Sequence, residues 1–177
     1  MIFVYPSMVS LRCGTLLHEG PGQEFLIAQI IPHPQFDSAT LDYDISLIGI
    51  TGTFPLNQLM LNNIELATQD SDPSVGAMVR VSGWGRQEWG GAWSPTLKTV
   101  EVPVVDRQDC KYKNKDVLPV TDNMFCAGYD EGGKDACRSD SGGPVVYNKQ
   151  LIGVVSWGHE CARPNYPVLY THCSSTI

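Results

Sequence analysis

The run Asp135-Ala136-Cys137-Arg138-Ser139-Asp140-Ser141-Gly142-Gly143-Pro144 sets a serine between an aspartate and two glycines, four residues after a cysteine. Gly142 and Gly143 let the backbone turn tightly without a Cβ clash. A turn of this kind exposes a hydroxyl and aims neighbouring backbone N–H groups at one point, which is what stabilising an oxyanion requires. Taken alone, the run reads equally well as a polar surface turn, since Ser, Gly and Asp are common turn residues. Ser156-Trp157-Gly158 follows shortly after, and Leu41-Asp42-Tyr43-Asp44-Ile45 lies far upstream. A serine hydroxyl is a poor nucleophile at neutral pH and needs an adjacent base to take its proton. The carboxylates and the four histidines are therefore the next residues to place.

The elements that must position these groups read as short strands. The chain has 177 residues, 42% hydrophobic and 18% charged, and its 17 Gly and 12 Pro punctuate short apolar runs. That pattern favours an all-β architecture with frequent turns. Strands are expected over 9–12, 24–31 and 45–50, the last of them buried, with Pro32 and Pro34 ending the second. An irregular connection over 54–73 leads to further strands over 78–82, 97–104, 123–128, 144–147, 151–156 and 168–171. Residues 105–111 could form one or two helical turns capped by Asp106. This spacing fits two small antiparallel barrels.

A net charge of −7 argues against a nucleic-acid partner, since phosphate binding needs clustered Lys and Arg. No apolar run reaches membrane-spanning length. Six Cys suggest disulfides and an oxidising compartment. Met1-Ile2-Phe3-Val4-Tyr5 is apolar for only five residues before Pro6, with no basic leader, and does not read as a secretory signal. A chain built for disulfides without such a signal is expected to be missing its front end. No Cys/His cluster has ligand spacing, so no metal or other cofactor is expected.

The Ser141 run, Ser156-Trp157-Gly158 and Asp42-Tyr43-Asp44-Ile45, in this order along the chain, resemble the trypsin/chymotrypsin family of serine endopeptidases. The resemblance runs from about Val9 to Thr171. It implies a fold of two antiparallel β-barrels with the site in the cleft between them, here with the first barrel incomplete and the C-terminal helix absent. On this view 1–55 is the remnant of the first barrel, 56–77 the connection and 78–177 the second barrel, together one peptidase domain.

The same resemblance makes Ser141 the nucleophile, Asp44 the aspartate that orients a histidine base, and the backbone of Ser139 an oxyanion donor. The family order is His, Asp, Ser, so the histidine should precede Asp44 in an Ala-Ala-His-Cys-like segment, and this chain has none. His18 sits in a Gly-Pro turn, His33 between two prolines, His159 after Ser156-Trp157-Gly158, and His172 near the end. The 177 residues are therefore expected to be inactive by themselves, either as part of an endopeptidase or as a non-catalytic paralogue acting as a binding or decoy protein. Asp140 matches the aspartate that pairs with a new N-terminus after proteolysis. Without that cation the loop around Ser141 is expected to be disordered or swung out.

Asp135 matches the base of the specificity pocket, where a carboxylate pairs with Arg or Lys. Ser156, Trp157 and Gly158 match the strand that pairs with substrate backbone. Two residues depart from the family. Ser139 replaces a glycine and costs on the order of 1 kcal/mol if that position needs a positive φ. Val168 replaces a pocket-wall glycine and is expected to narrow the slot that Asp135 serves, so that Arg and Lys enter poorly. Cys110 with Cys126, and Cys137 with Cys161, match family disulfides, whereas Cys13 and Cys173 have no family partner. The implied partners are protein or peptide substrates or protease inhibitors, and the implied state is an extracellular monomer.

Overall fold

Strand periodicity places the core. The computed structural model describes residues 5–57 and 61–176, so the apolar opening at 1–4 and part of the 56–77 connection lie outside the described residues. Near the start, β1 (Ser10–Cys13) pairs antiparallel with β2 (Gln23–Pro32), and β2 with β3 (Ser46–Ile50). Alternation along β2 buries Phe25 and Ile27 and leaves Leu26 and Ala28 exposed, the pattern of a sheet packed on one face. The expectation of a buried strand over 45–50 fails here. Among the described residues β3 is a sheet edge paired only with β2, and Leu47 and Ile48 are 58% and 44% exposed. An apolar run shows that a strand could be covered on both faces, and coverage itself depends on other elements.

The second sheet is larger and closes on itself. β4 (Glu65–Leu66) lies parallel beside β9 (Gln150–Trp157) at its rim. The remaining strands are β5 (Met78–Gly83), β6 (Lys98–Pro103), β7 (Met124–Ala127), β8 (Pro144–Tyr147) and β10 (Val168–His172). Their spatial order is β6-β5-β8-β9-β10-β7. A bridge between Val104 and Ala127, with Val105 N–H donating to Cys126 and Gly128 N–H to Pro103, returns β7 to the end of β6. Closure pairs strand edges that would otherwise offer open backbone groups. Inside sit Val79, Val81, Val102, Phe125, Val145, Ile152, Val155 and Tyr170. Full burial of side chains of this size stabilises by roughly 1.5–3 kcal/mol each, so this barrel holds most of the folding energy.

The expected helical segment forms as α1 (Arg107–Asn114), with the Asp106 carboxylate accepting from the N–H groups of Gln108 at 2.9 Å and Asp109 at 3.1 Å. Such a cap stabilises by about 1 kcal/mol. The helix runs past 111 because Lys113 pairs with Asp109 and Asp130, both at 2.6 Å, and Asn114 donates to the Cys110 carbonyl. Cys110 joins Cys126, tying α1 to β7, and Cys137 joins Cys161. Sequence separations of 16 and 24 residues correspond to roughly 3 kcal/mol each in the chain-entropy account. Cys13 and Cys173 are free thiols. A single helical turn, α2 (Cys173–Thr176), follows β10.

The connection between the sheets is fastened to the end of the barrel. Asp72 receives Arg107 at 2.8 Å and lies 2.9 Å from Nε2 of the buried His172, while Ser174 Oγ donates to the Ser71 carbonyl at 3.1 Å. His172 is thus buried, with Nε2 beside Asp72 and Nδ1 engaged with Ser174.

Candidate active site

Ser141 is exposed on a turn that β9 holds from behind. Gly142 N–H donates to the Val155 carbonyl at 2.8 Å, and Val155 N–H returns to Gly143 at 2.9 Å. Gly142 has φ +78°, and a Cβ on Gly143 would lie 2.7 Å from the Asp140 carbonyl oxygen and 2.9 Å from that of Ser82. Gly143 thus leaves no room for a side chain, and Gly142 takes a backbone conformation that a Cβ disfavours. Asp140 N–H donates to the Cys137 carbonyl at 3.0 Å. Among the described residues the N–H groups of Ser139 and Ser141 donate to no protein group, so two donors remain unspent beside the hydroxyl.

Among the described residues Asp140 has no cationic partner, as expected, but its loop is not swung out, because backbone N–H groups hold the carboxylate. Its Oδ1 accepts from Gly85 N–H at 2.8 Å and its Oδ2 from Cys137 N–H at 2.9 Å. A carboxylate supplied with backbone donors needs no cation to tolerate partial burial. The contact is close, since a Cβ on Gly83 would lie 1.9 Å from Asp140 Oδ1. The glycines on either side of Trp84 are what let this carboxylate in.

Asp44 belongs to the loop before β3, yet the barrel aims it. Ser156 Oγ donates to Asp44 Oδ2 at 2.6 Å, and Thr171 Oγ1 donates to the Asp44 carbonyl at 3.0 Å. Asp42 acts as a clamp, its carboxylate accepting from Thr121 Oγ1 at 2.7 Å and Asn123 Nδ2 at 3.1 Å. Leu41 and Tyr43 both take positive φ, 58° and 53°, an unfavourable state for side chains of this size. Stacking of Tyr43 on His33, with centroids 4.5 Å apart and planes 5° from parallel, helps hold it. Strain thus gathers around Asp44, where orientation matters most. Among the described residues Asp44 Oδ1 has no protein donor, so one carboxylate oxygen is free to take an N–H from elsewhere.

Two cavities lie behind Ser141. One of about 210 Å³ is lined by Ser141, Val155, Ser156, Trp157, Gly158 and Val168 among others. The second, of about 400 Å³, holds Asp135 and Asp140. Asp135 lines only the second, where its carboxylate accepts from Ala136 N–H at 2.9 Å and Ala162 N–H at 3.0 Å. Burial pushes this carboxyl up to about 7, and the charge of Asp140 adds to the rise against the lowering effect of the two N–H groups. The structure therefore brings Ser141, Ser156, Trp157, Gly158 and Val168 around one space and sets Asp135 apart.

The trypsin family model matches residues 5–177. This chain belongs to the trypsin family. It is 42% identical over 174 residues, 97% of its length, to Trypsin Blo t 3 of Blomia tropicalis. It is 42% identical over 147 residues, 82% of its length, to Trypsin eta of Drosophila melanogaster. It is 36% identical over 170 residues, 96% of its length, to the vitellin-degrading protease of Bombyx mori. The matches span 65%, 55% and 64% of those relatives' own lengths, less than two thirds of each.

Within this trypsin-family chain the four histidines all have other engagements. His18 stacks on Trp93 at 5.7 Å, His33 on Tyr43, His159 contacts Arg163 and Tyr166, and His172 is buried beside Asp72. Sequence reasoning missed the Asp42 clamp and the role of Gly83 and Gly85. The Gly-Trp-Gly spacing was a readable signal for the second, but nothing local marks Thr121 and Asn123 as partners of Asp42.

Ser139 has φ +73°, the left-handed region that a Cβ disfavours. Ser139→Gly is expected to raise stability by about 0.5–1 kcal/mol, the relief of the strained backbone less the greater freedom of glycine in the unfolded chain. A higher urea midpoint at unchanged slope checks this, and a lower midpoint contradicts it.

Proposed function

We propose that this site is that of a serine endopeptidase, and that the 177 residues by themselves bind polypeptide segments without turning them over. In the reaction Ser141 Oγ attacks the carbonyl carbon of a peptide bond. Its proton passes to a base, the N–H groups of Ser139 and Ser141 stabilise the oxyanion, and the amine leaves an acyl-serine that water then hydrolyses. Asp44 orients the base. Ser156, Trp157 and Gly158 pair with the backbone of the polypeptide.

One observation carries the reading. Asp44 is fixed by Ser156 through Oδ2 with Oδ1 left open, next to a cavity that Ser141 and Ser156 share. The proton acceptor that would join these groups is not among the four histidines. The units over 1–55, 56–77 and 78–177 act as one peptidase domain in this reading, since the Asp42 clamp and the Asp44 contacts cross between them. The two disulfides suit an extracellular setting. Protein substrates and protease inhibitors are the partners it would meet, and a monomer suffices for the site.

Ser139 and Val168 favour a second reading, a non-catalytic paralogue that keeps the scaffold for binding. Ser139 strains the backbone next to Ser141, and Val168 adds bulk to the lining of the cavity beside it. The test is hydrolysis of a panel of peptide esters by the purified chain, with Ser141→Ala as the control. The expected rates of the two proteins are the same. Turnover at the pace of a digestive enzyme that disappears in Ser141→Ala would refute the proposal that the chain alone is inactive.

A further inference from the structure

We infer that two copies of this chain pair through the free edge of β3, forming a weak, reversible two-fold dimer in which the first sheet runs on from one copy into the other. Among the described residues β3 (Ser46–Ile50) pairs only with β2. The edge lies outside the cavity beside Ser141, so the dimer does not depend on the site reading proposed above.

The strand register shows which backbone groups are open. The Ile45 carbonyl accepts from His33 N–H at 3.0 Å, and Thr51 N–H donates to the Leu26 carbonyl at 2.8 Å, so odd-numbered residues turn toward β2. The irregularity between these two bonds inserts Ala28 into β2 and leaves the alternation of β3 unbroken. The N–H and C=O groups of Ser46, Ile48 and Ile50 therefore face away from β2, and among the described residues they meet no protein partner. A two-fold axis at Ile48 supplies one for each. The two copies of Ile48 exchange both of their N–H···O bonds, and Ser46 of each copy meets Ile50 of the other. Leu47 then lies opposite Gly49 of the second copy, which has no side chain to oppose it.

Edge strands are commonly blunted by charge or proline. β3 carries neither. No charged residue occurs between Asp44 and Glu65, and the Asp44 carboxylate is turned to Ser156. Leu47 and Ile48 are exposed, and Ile31, paired with Leu47, is 46% exposed. The opposite edge of the sheet is less suited, because β1 carries Arg12 and Gly14 at φ +73° follows its last residue. A net charge of −7 makes two copies repel, so only an uncharged contact brings them together without adding to that cost. A five-residue edge with its flanking side chains buries less than the roughly 1,200–2,000 Å² of a stable complex, which is why the dimer is weak.

Sedimentation equilibrium of the 177-residue chain reads the state directly, with Cys13→Ser to prevent cross-linking through that half-exposed thiol. The mass is expected to rise from 19.4 kDa toward twice that value between ~1 and ~100 µM. Raising salt from ~0.05 to ~0.5 M should tighten the dimer several-fold, because it screens the repulsion between the copies. Ile48→Lys and Ile48→Glu each set like charges opposite one another across the axis and are expected to weaken association roughly tenfold. An equimolar mixture of the two variants should recover it. Where circular dichroism shows that a position-48 variant has not folded, Ser46→Pro takes its place. That residue is exposed at the start of β3, and proline there removes an N–H that only a second copy uses. A mass of one chain across the whole range overturns the inference. So does a dimer that these substitutions leave unchanged, or one that salt dissociates.

Discussion

A longer polypeptide in which a segment of Ala-Ala-His-Cys type precedes these 177 residues is expected to hydrolyse a peptide ester ~10²–10⁴-fold faster than the 177 residues alone, the range a positioned general base contributes. The reason is the state of Asp44. Its Oδ2 is already held by Ser156 at 2.6 Å and its backbone carbonyl by Thr171, so the carboxylate is oriented before any base arrives. The open Oδ1 can fix an imidazole in the tautomer that accepts the Ser141 proton. Ser141 is exposed and the N–H groups of Ser139 and Ser141 are unspent, so the turn does not need rebuilding. Steady-state hydrolysis of an ester with an apolar side chain measures the gain. Alanine in place of the added histidine should abolish it, as should Ser141→Ala. A fusion that folds and shows no gain would mean that Asp44 and Ser141 are not poised to share a base.

The second large effect is a pH dependence centred on Asp135. Its carboxyl, ordinarily near 3.8, is pushed up to about 7 by burial, with Asp140 close by. A carboxyl whose value is raised in the folded state stabilises the fold below its unfolded value, and that contribution is lost as pH rises through the folded value. Stability is thus expected to fall between about pH 4 and pH 7 by an amount that Asp135 controls. The gap between 3.8 and about 7 converts, at roughly 1.36 kcal/mol per pH unit and allowing for solvent at its edge, to on the order of 3 kcal/mol. Asp135→Asn removes the titration and sacrifices one of the two backbone contacts, because its amide N cannot accept from an N–H. The substitution should therefore cost stability near pH 4 and gain relative to the unaltered chain by pH 8. Urea melts of both proteins across this range provide the comparison. Parallel stability curves would show that Asp135 ionises at its ordinary value.

The chemistry-bearing turn was legible because its signals are local. Ser141 with its two glycines, the Asp106 cap and the period-two strands act within a few residues, through backbone sterics and short hydrogen bonds. The burial of 45–50 was misjudged because Leu47 and Ile48 have the composition of a covered strand, whereas cover comes from whatever packs on that face. Asp140 lacks a cation as expected, and the swung-out loop inferred from that is absent for a related reason. Two backbone N–H groups, from Gly85 and Cys137, do the work assigned to a cation, and their approach depends on how the 83–85 turn folds over the loop.

By itself the sequence determined that the chain is all-β, that Ser141 sits on a glycine-supported turn, and that no histidine stands in the expected place before Asp44. These follow from residue type and spacing alone. It took the fold to show that Ser156 orients Asp44 across 112 residues, that Asp42 is clamped by Thr121 and Asn123, and that Asp135 and Ser141 line different cavities. Each of these depends on which side chains meet when the barrel closes. That is a property of strand register in space, and residue spacing along one strand does not contain it.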